Sequence, residues 1–161
     1  MDKKYFPVFI DISEKKIVVI GGGTIATRRI KTLTEFAKDI TVVAPEVSEV
    51  LMELYNCEII KWHQADYKAD FLQGAELVIA ATNQPDINHQ VKKDCRYLEE
   101  QTGKSILVSV ADDRTACDFY FPSIIQKEEI VVAVNSGGTS PKQTKYIREK
   151  IEKLLDSESI Y

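Results

Sequence analysis

The sequence predicts an α/β fold: a doubly wound parallel sheet, then a small α+β segment. Three observations carry that reading. Short β-branched runs at residues 17–20, 40–44, 58–62, 77–81 and 105–110 alternate with stretches whose apolar residues recur at helical spacing. Gly21, Gly22 and Gly23 directly follow the first of these runs. After Arg114 the alternation gives way to two neighbouring apolar runs and one last helical pattern. The expected division is residues 1–113 for the sheet domain and 114–161 for the smaller segment.

The chain has 161 residues, 44% hydrophobic and 29% charged, enough to bury a core in one domain with a small appendage. Tyr5, Phe6, Pro7, Val8, Phe9 and Ile10 form an apolar lead-in expected to pack on the sheet edge. The first strand, 17–20, ends in Gly21-x-Gly23-x-x-Ala26, which fits a dinucleotide-binding turn of Rossmann type. Gly21 serves the tight turn, Gly23 the close approach of a pyrophosphate, and Ala26 the packing of helix on strand. The N-terminus of that helix, expected over 24–37 from Ile25, Ile30, Leu33 and Ala37, offers unpaired amides to an anion.

The second strand, 40–44, ends at Pro45 and Glu46. An acidic side chain at this point can accept hydrogen bonds from the adenosine ribose. The loop carries no Arg for a 2′-phosphate, so NAD is expected over NADP. Glu46 equally fits the first turn of the following helix, where the dipole favours a carboxylate. A short helix over 47–55, a third strand over 58–62 with Trp62 on its packed face, and a loop with a helical turn over 66–74 come next. The fourth strand, 77–81, delivers Ala81, Thr82 and Asn83 to the carboxyl edge, where such sheets meet their ligands. A helix over 84–101 with Ile87, Val91, Cys95 and Leu98 on one face closes at Gly103. The fifth strand, 105–110, brings Ala111, Asp112, Asp113 and Arg114 to the same edge.

Residues 119–125 and 130–134, around a polar turn at 126–129, read as a β-hairpin too apolar to stand alone in water. A partner chain is expected to cover it. Ser140 as cap and Pro141 in the first turn mark the start of a last helix, with Ile147, Ile151, Leu154 and Leu155 on one face.

A net charge of −4 argues against general nucleic-acid binding. Local positives are Arg28, Arg29, Arg114, Lys142 and Lys145. No run reaches the length of a membrane span and the first residues lack a signal-peptide pattern, so a cytoplasmic protein is expected. Cys57, Cys95 and Cys117 show neither disulfide nor zinc spacing and are expected to be small buried side chains. His63 and His89 are expected on the surface or a helix, without a catalytic part. No permanent metal site is indicated.

Gly21-Gly22-Gly23-x-x-Ala26-x-Arg28-Arg29, Ala80-Ala81-Thr82, Phe121-Pro122-Ser123-Ile124-Ile125 and Val134-Asn135-Ser136-Gly137-Gly138-Thr139-Ser140-Pro141, in that order, resemble the precorrin-2 dehydrogenase family of siroheme synthesis. That family includes the N-terminal module of siroheme synthases, and the resemblance runs from about residue 8 to 155. It implies NAD-dependent oxidation of precorrin-2 to sirohydrochlorin on a homodimer, with the smaller segment as a dimerisation domain. It places the catalytic aspartate on Asp112, a serine modified in some members on Ser136, and cofactor contacts on Thr24, Ile25, Pro45 and Glu46.

A hydride acceptor and a base for the accompanying proton are what such an oxidation needs, and a strand-end carboxylate can be that base. Asp112 is the expected residue, with adjacent Asp113 as competitor. The substrate is rich in carboxylates, so Ser136, Gly137, Gly138 and Thr139, before a helix N-terminus, are expected to bind it, with Arg114, Lys142 and Lys145 as charge partners. Some members also insert iron. Longer relatives continue past the last helix into a further helical domain, whereas this sequence ends at Tyr161, so the expectation rests on the dehydrogenase. A bifunctional dehydrogenase and ferrochelatase is the alternative, and a dinucleotide-sensing module without chemistry the more distant one.

Overall fold

Five strands form the parallel sheet in a computed structural model that describes residues 5–157. They are β1 (Ile17–Ile20), β2 (Ile40–Val43), β3 (Lys61–His63), β4 (Leu77–Ala80) and β5 (Leu107–Val110), in the order β3-β2-β1-β4-β5. Ile20 stands opposite both Val43 and Ala80, and Ala80 opposite Val110, so four strands end level. A parallel strand covered on both faces needs a continuous apolar run, which is why β1, β2 and β4 are buried at every residue. Burying each Val or Ile side chain there is worth about 1.5–3 kcal/mol.

Helices α1 (Thr24–Leu33), α2 (Glu49–Asn56) and α3 (Pro85–Thr102) connect the strands. Ala26, Ile30 and Leu33 give α1 its buried stripe; Asn88, Val91 and Cys95 give α3 its own. Helix α1 ends four residues before the expected Ala37, because Phe36 and Ala37 both donate to the carbonyl of Leu33 and tighten the last turn. Gly103, at φ +68°, closes α3 as expected.

Strand β3 begins three residues later than the expected 58. Glu58 and Ile59 instead terminate α2: the Glu58 amide donates to the Tyr55 carbonyl (2.9 Å) and the Ile59 amide to that of Leu54 (3.0 Å). This is a Schellman turn with Glu58 in the left-handed region at φ +58°.

The lead-in is a correction. Phe6, Val8 and Phe9 are 87%, 67% and 74% exposed, so the segment does not lay its apolar side chains on the sheet. The Tyr5 hydroxyl does reach back, donating to the Cys117 carbonyl at 3.0 Å. The outer edge of β5 is covered by its own sequel: the Asp118 amide donates to the Val108 carbonyl, and the Val108 and Val110 amides donate to Asp118 Oδ2 and Cys117 Sγ. This blunts an edge that would otherwise template further pairing. Cys95 and Cys117 are buried as expected, but Cys57, at the exposed end of α2, is not.

The chain divides into two compact units, the second beginning at Tyr120. It holds β6 (Ser123–Lys127), β7 (Ile130–Val134) and α4 (Pro141–Ser157). Strands β6 and β7 pair antiparallel from Ser123 opposite Val134 to Lys127 opposite Ile130. Ile125 is the buried side chain of this unit among the described residues, and Ile147 and Leu154 of α4 are 40% and 55% exposed.

Candidate functional site at the carboxyl edge of the sheet

The backbone ladder runs one bond beyond the strands. Gly21, Ala81 and Ala111 donate their amides to the carbonyls of Val43, Ile20 and Ala80, at 2.9, 2.8 and 2.9 Å. The loops that follow β1, β4 and β5 therefore leave the sheet side by side, at the point where the strand order reverses from β1 to β4.

The three glycines of the first loop have different reasons. Gly21 has φ +119°, and a Cβ there would stand 2.4 Å from the Ala81 carbonyl oxygen. A Cβ on Gly22 would stand 2.2 Å from the Glu46 carbonyl oxygen, because the β2–α2 loop crosses directly over it. Gly23 is exposed and nothing lies within 4 Å of where its Cβ would be. The fold does not demand a glycine there; a ligand approaching the backbone would.

Gly23 also caps α1. No side chain caps the helix and no acidic residue occupies its first turn, so its amides are left for an anion. Thr24 and Ile25 are exposed in that turn, Ile25 at 44%. The Thr27 hydroxyl shares a hydrogen with Ser48 Oγ across 2.8 Å, and Ser48 Oγ accepts the Leu51 amide as the cap of α2. This link between the two helix starts was not foreseen from the sequence. Helix α2 opens only at Glu49, so Glu46 is an exposed loop residue beside exposed Pro45 and not part of a first turn. The residues present fit a bound dinucleotide: open backbone at Gly23, uncapped amides beyond it, and a carboxylate at the end of β2.

Thr82 and Asn83 follow β4, with Ala81 buried and Asn83 exposed. Thr82 is held by Asn88 of α3, whose Oδ1 accepts from the Thr82 amide (3.0 Å) and hydroxyl (2.8 Å). Asn88 Nδ2 donates to the Thr82 carbonyl (3.1 Å) and to Asp112 Oδ1 (3.0 Å). The two aspartates after β5 thereby part company. Asp112 is exposed, with one oxygen on Asn88. Asp113 Oδ1 caps the 3-10 turn at Arg114–Ala116, accepting from Thr115 N (2.8 Å), Thr115 Oγ1 (2.6 Å) and Ala116 N (3.3 Å). The Thr115 bonds hold its carboxyl below the usual carboxylate range. Asp113 Oδ2 faces His89 Nε2 at 3.3 Å.

Arg114 is exposed within that turn. Arg29 turns away from the glycine loop: it is half-buried, with Nη1 3.4 Å from Ser109 Oγ. Asn88 was missed by sequence reasoning. The one signal was a polar residue in register with Val91 and Cys95 on the buried stripe of α3.

In the second unit, the loop before α4 is built around Ser136. Its Oγ accepts from the Ser140 amide (3.2 Å) and the Thr144 hydroxyl (2.9 Å), and its carbonyl accepts the Thr139 hydroxyl (2.6 Å). Asn135 Oδ1 accepts the Gly137 amide at 2.7 Å, and Gly137 and Gly138 take φ +64° and +72°. Ser140 Oγ accepts the Gln143 amide, so the cap and Pro141 start α4 as expected. Gly138, Thr139 and Lys142 are exposed. Among the described residues no group of three or more His, Cys, Asp or Glu side chains could hold a metal, and no helix is long and apolar enough to cross a membrane.

A family model described as "Putative NAD(P)-binding" matches residues 8–123. A protein of Ruminiclostridium josui described as "Probable multifunctional siroheme biosynthesis protein HemA" is 43% identical over 150 residues, 92% of this chain and 28% of that protein. The siroheme synthase of Photorhabdus laumondii is 38% identical over 153 residues, 95% of this chain and 31% of that one. The chain thus spans less than a third of the length of these relatives. Among solved structures, the precorrin-2 dehydrogenase SirC is similar with a TM-score of 0.73 at 26% identity, covering 93% of this chain and 71% of that one. With the glycine turn, strand order and level carboxyl edge in place, the chain belongs to the NAD(P)-binding family of precorrin-2 dehydrogenases and siroheme synthase N-terminal modules.

Proposed function

We propose that this protein oxidises precorrin-2 to sirohydrochlorin with NAD as hydride acceptor, in siroheme biosynthesis. The observation that supports it most is the exposed Asp112 carboxylate at the same sheet edge as the open backbone of Gly23. When bound, the nicotinamide supplies the hydride acceptor. Gly21, Gly22 and Gly23 with Thr24 and Ile25 hold the pyrophosphate; Pro45 and Glu46 meet the ribose; Ala81, Thr82 and Asn83 line the path to the reacting ring. Glu46 with no Arg beside it favours NAD over NADP. Asp112 takes the proton that leaves with the hydride, so one precorrin-2 and one NAD become sirohydrochlorin, NADH and a proton.

Asp113 is spent on its cap, which favours Asp112 as base. In this reading Ser136, Gly137, Gly138, Thr139 and Lys142 of the second unit bind substrate carboxylates, and Arg114 of the first unit is by itself a further charge partner. Among the described residues the second unit buries one side chain, Ile125, and Phe6, Val8 and Phe9 stand exposed, which supports a homodimer; a cytoplasmic location is part of the same proposal.

An anaerobic assay with enzymatically generated precorrin-2 and NAD or NADP in parallel tests the reading. Matched formation of sirohydrochlorin and NADH is expected, with slower turnover on NADP. Tight NAD binding without turnover would overturn the dehydrogenase and point to a sensor. Added iron or cobalt in the same cuvette reads chelatase activity separately.

A further inference from the structure

Asn88 is fully buried, and its side chain is engaged at both ends: Oδ1 by the Thr82 amide and, in alternation with the Gln84 carbonyl, the Thr82 hydroxyl, Nδ2 by the Thr82 carbonyl and Asp112. The Thr82 amide can only donate and the Thr82 carbonyl can only accept, so the orientation of the Asn88 amide is determined. Its nitrogen must point at Asp112 Oδ1, which can then serve only as an acceptor. Burial does not require this last bond for the sake of Asp112, whose exposed carboxylate water could satisfy.

We propose that Asn88 is a positioning residue: it locks the loop after β4 to the carboxylate after β5 and leaves Asp112 Oδ2 as the oxygen that takes the substrate proton. This rests on the dehydrogenase reading. A rotating carboxylate would offer either oxygen from a spread of directions; one clamped from a buried helix residue presents a single oxygen in a single direction. The same side chain holds Thr82, so the cofactor loop and the base move as one body.

Asn88→Asp is nearly isosteric and keeps an oxygen for the Thr82 amide and hydroxyl, but sets its second oxygen against both Asp112 and the Thr82 carbonyl. Two facing carboxylates share a proton, so the acid limb of kcat should rise by about one pH unit or more. At neutral pH kcat should fall about tenfold or more, with NAD affinity within about threefold. His89, Asp113, Arg114 and Glu46, also titratable groups at this edge, are unchanged in the variant.

A folded N88D with an unmoved acid limb and near-wild-type kcat would overturn the proposal. Should N88D not fold, Asn88→Ser decides: the bond to Asp112 and the hold on Thr82 are lost without an added charge, so kcat should fall about tenfold with the KM for precorrin-2 within about threefold, while NAD affinity falls as the Thr82 loop is released. Wild-type kcat in folded N88S would overturn it as well. If the wild type oxidises no precorrin-2, the dehydrogenase reading fails by itself. The clamp is then read by carbon-13 NMR of the Asp112 carboxyl, assigned by its loss in D112N. Its titration midpoint should move upward in N88D, and an unmoved midpoint would overturn the clamp.

Discussion

The carbonyl oxygen of Ala81 lies 2.4 Å from where a Cβ on Gly21 would sit, so the first loop of the sheet and the fourth strand's end are packed backbone to backbone. Gly21→Ala must move the carbonyl of a residue whose amide is bonded into the sheet and adopt φ +119° as well. A loss of about 2 kcal/mol or more is expected, measured as a lower urea midpoint.

Gly23→Ala should behave in the opposite way. Its φ is −82° and the space beside it is open, so stability should fall by at most about 1 kcal/mol, the cost of a poorer cap. Dinucleotide affinity should drop about tenfold or more, since the methyl occupies the approach to the backbone. Calorimetric titration with NAD beside a thermal melt separates the two effects.

The adjacent aspartates should separate equally clearly. Asp112→Asn is expected to abolish turnover while NAD still binds. Asp113→Ala should retain most of the activity and lose about 1 kcal/mol of stability through its cap on Thr115 and Ala116. Steady-state rates and denaturation midpoints on both variants check this.

Glu58 ends α2 in a backbone conformation that favours glycine. Among the described residues no side-chain bond of Glu58 compensates, so Glu58→Gly should stabilise the protein by about 0.5–1 kcal/mol. A raised melting temperature with unchanged activity is the expected result.

Acid should weaken the fold through Asp118. Partial burial alone would raise its carboxyl, but Lys92 at 2.8 Å, the Val108 amide at 2.9 Å and Arg96 together hold it below the usual range. With the folded pKa below the unfolded one, the folded state binds fewer protons. Its stabilisation is present at neutral pH and is lost as pH falls below the ordinary carboxylate value of about 4. The stability gap between wild type and Asp118→Asn should therefore shrink between pH 7 and pH 3 in urea titrations.

Elements whose causes are local were legible in advance. The strand at 17–20 is apolar at every position because both faces are covered, α3 carries its stripe and closes at Gly103, and Ser140 with Pro141 starts α4. The start of β3 was not, because the Schellman turn at Glu58 puts a non-glycine residue where glycine is the usual signal. The lead-in misled because an apolar run shows that a surface needs cover without showing what covers it.

The sequence by itself determined the alternation of strands and helices, the glycine turn on the first strand and the carboxylate pair after the fifth, since these follow from periodicity and residue chemistry over a few neighbours. Only the tertiary structure decided which glycines the fold itself requires and which it leaves open, and which aspartate is the cap. It also decided that Asn88, 24 residues from Asp112 along the chain, holds that carboxylate. Those are relations between backbone and side chains brought together by strand order, and no local pattern encodes a distance across the sheet.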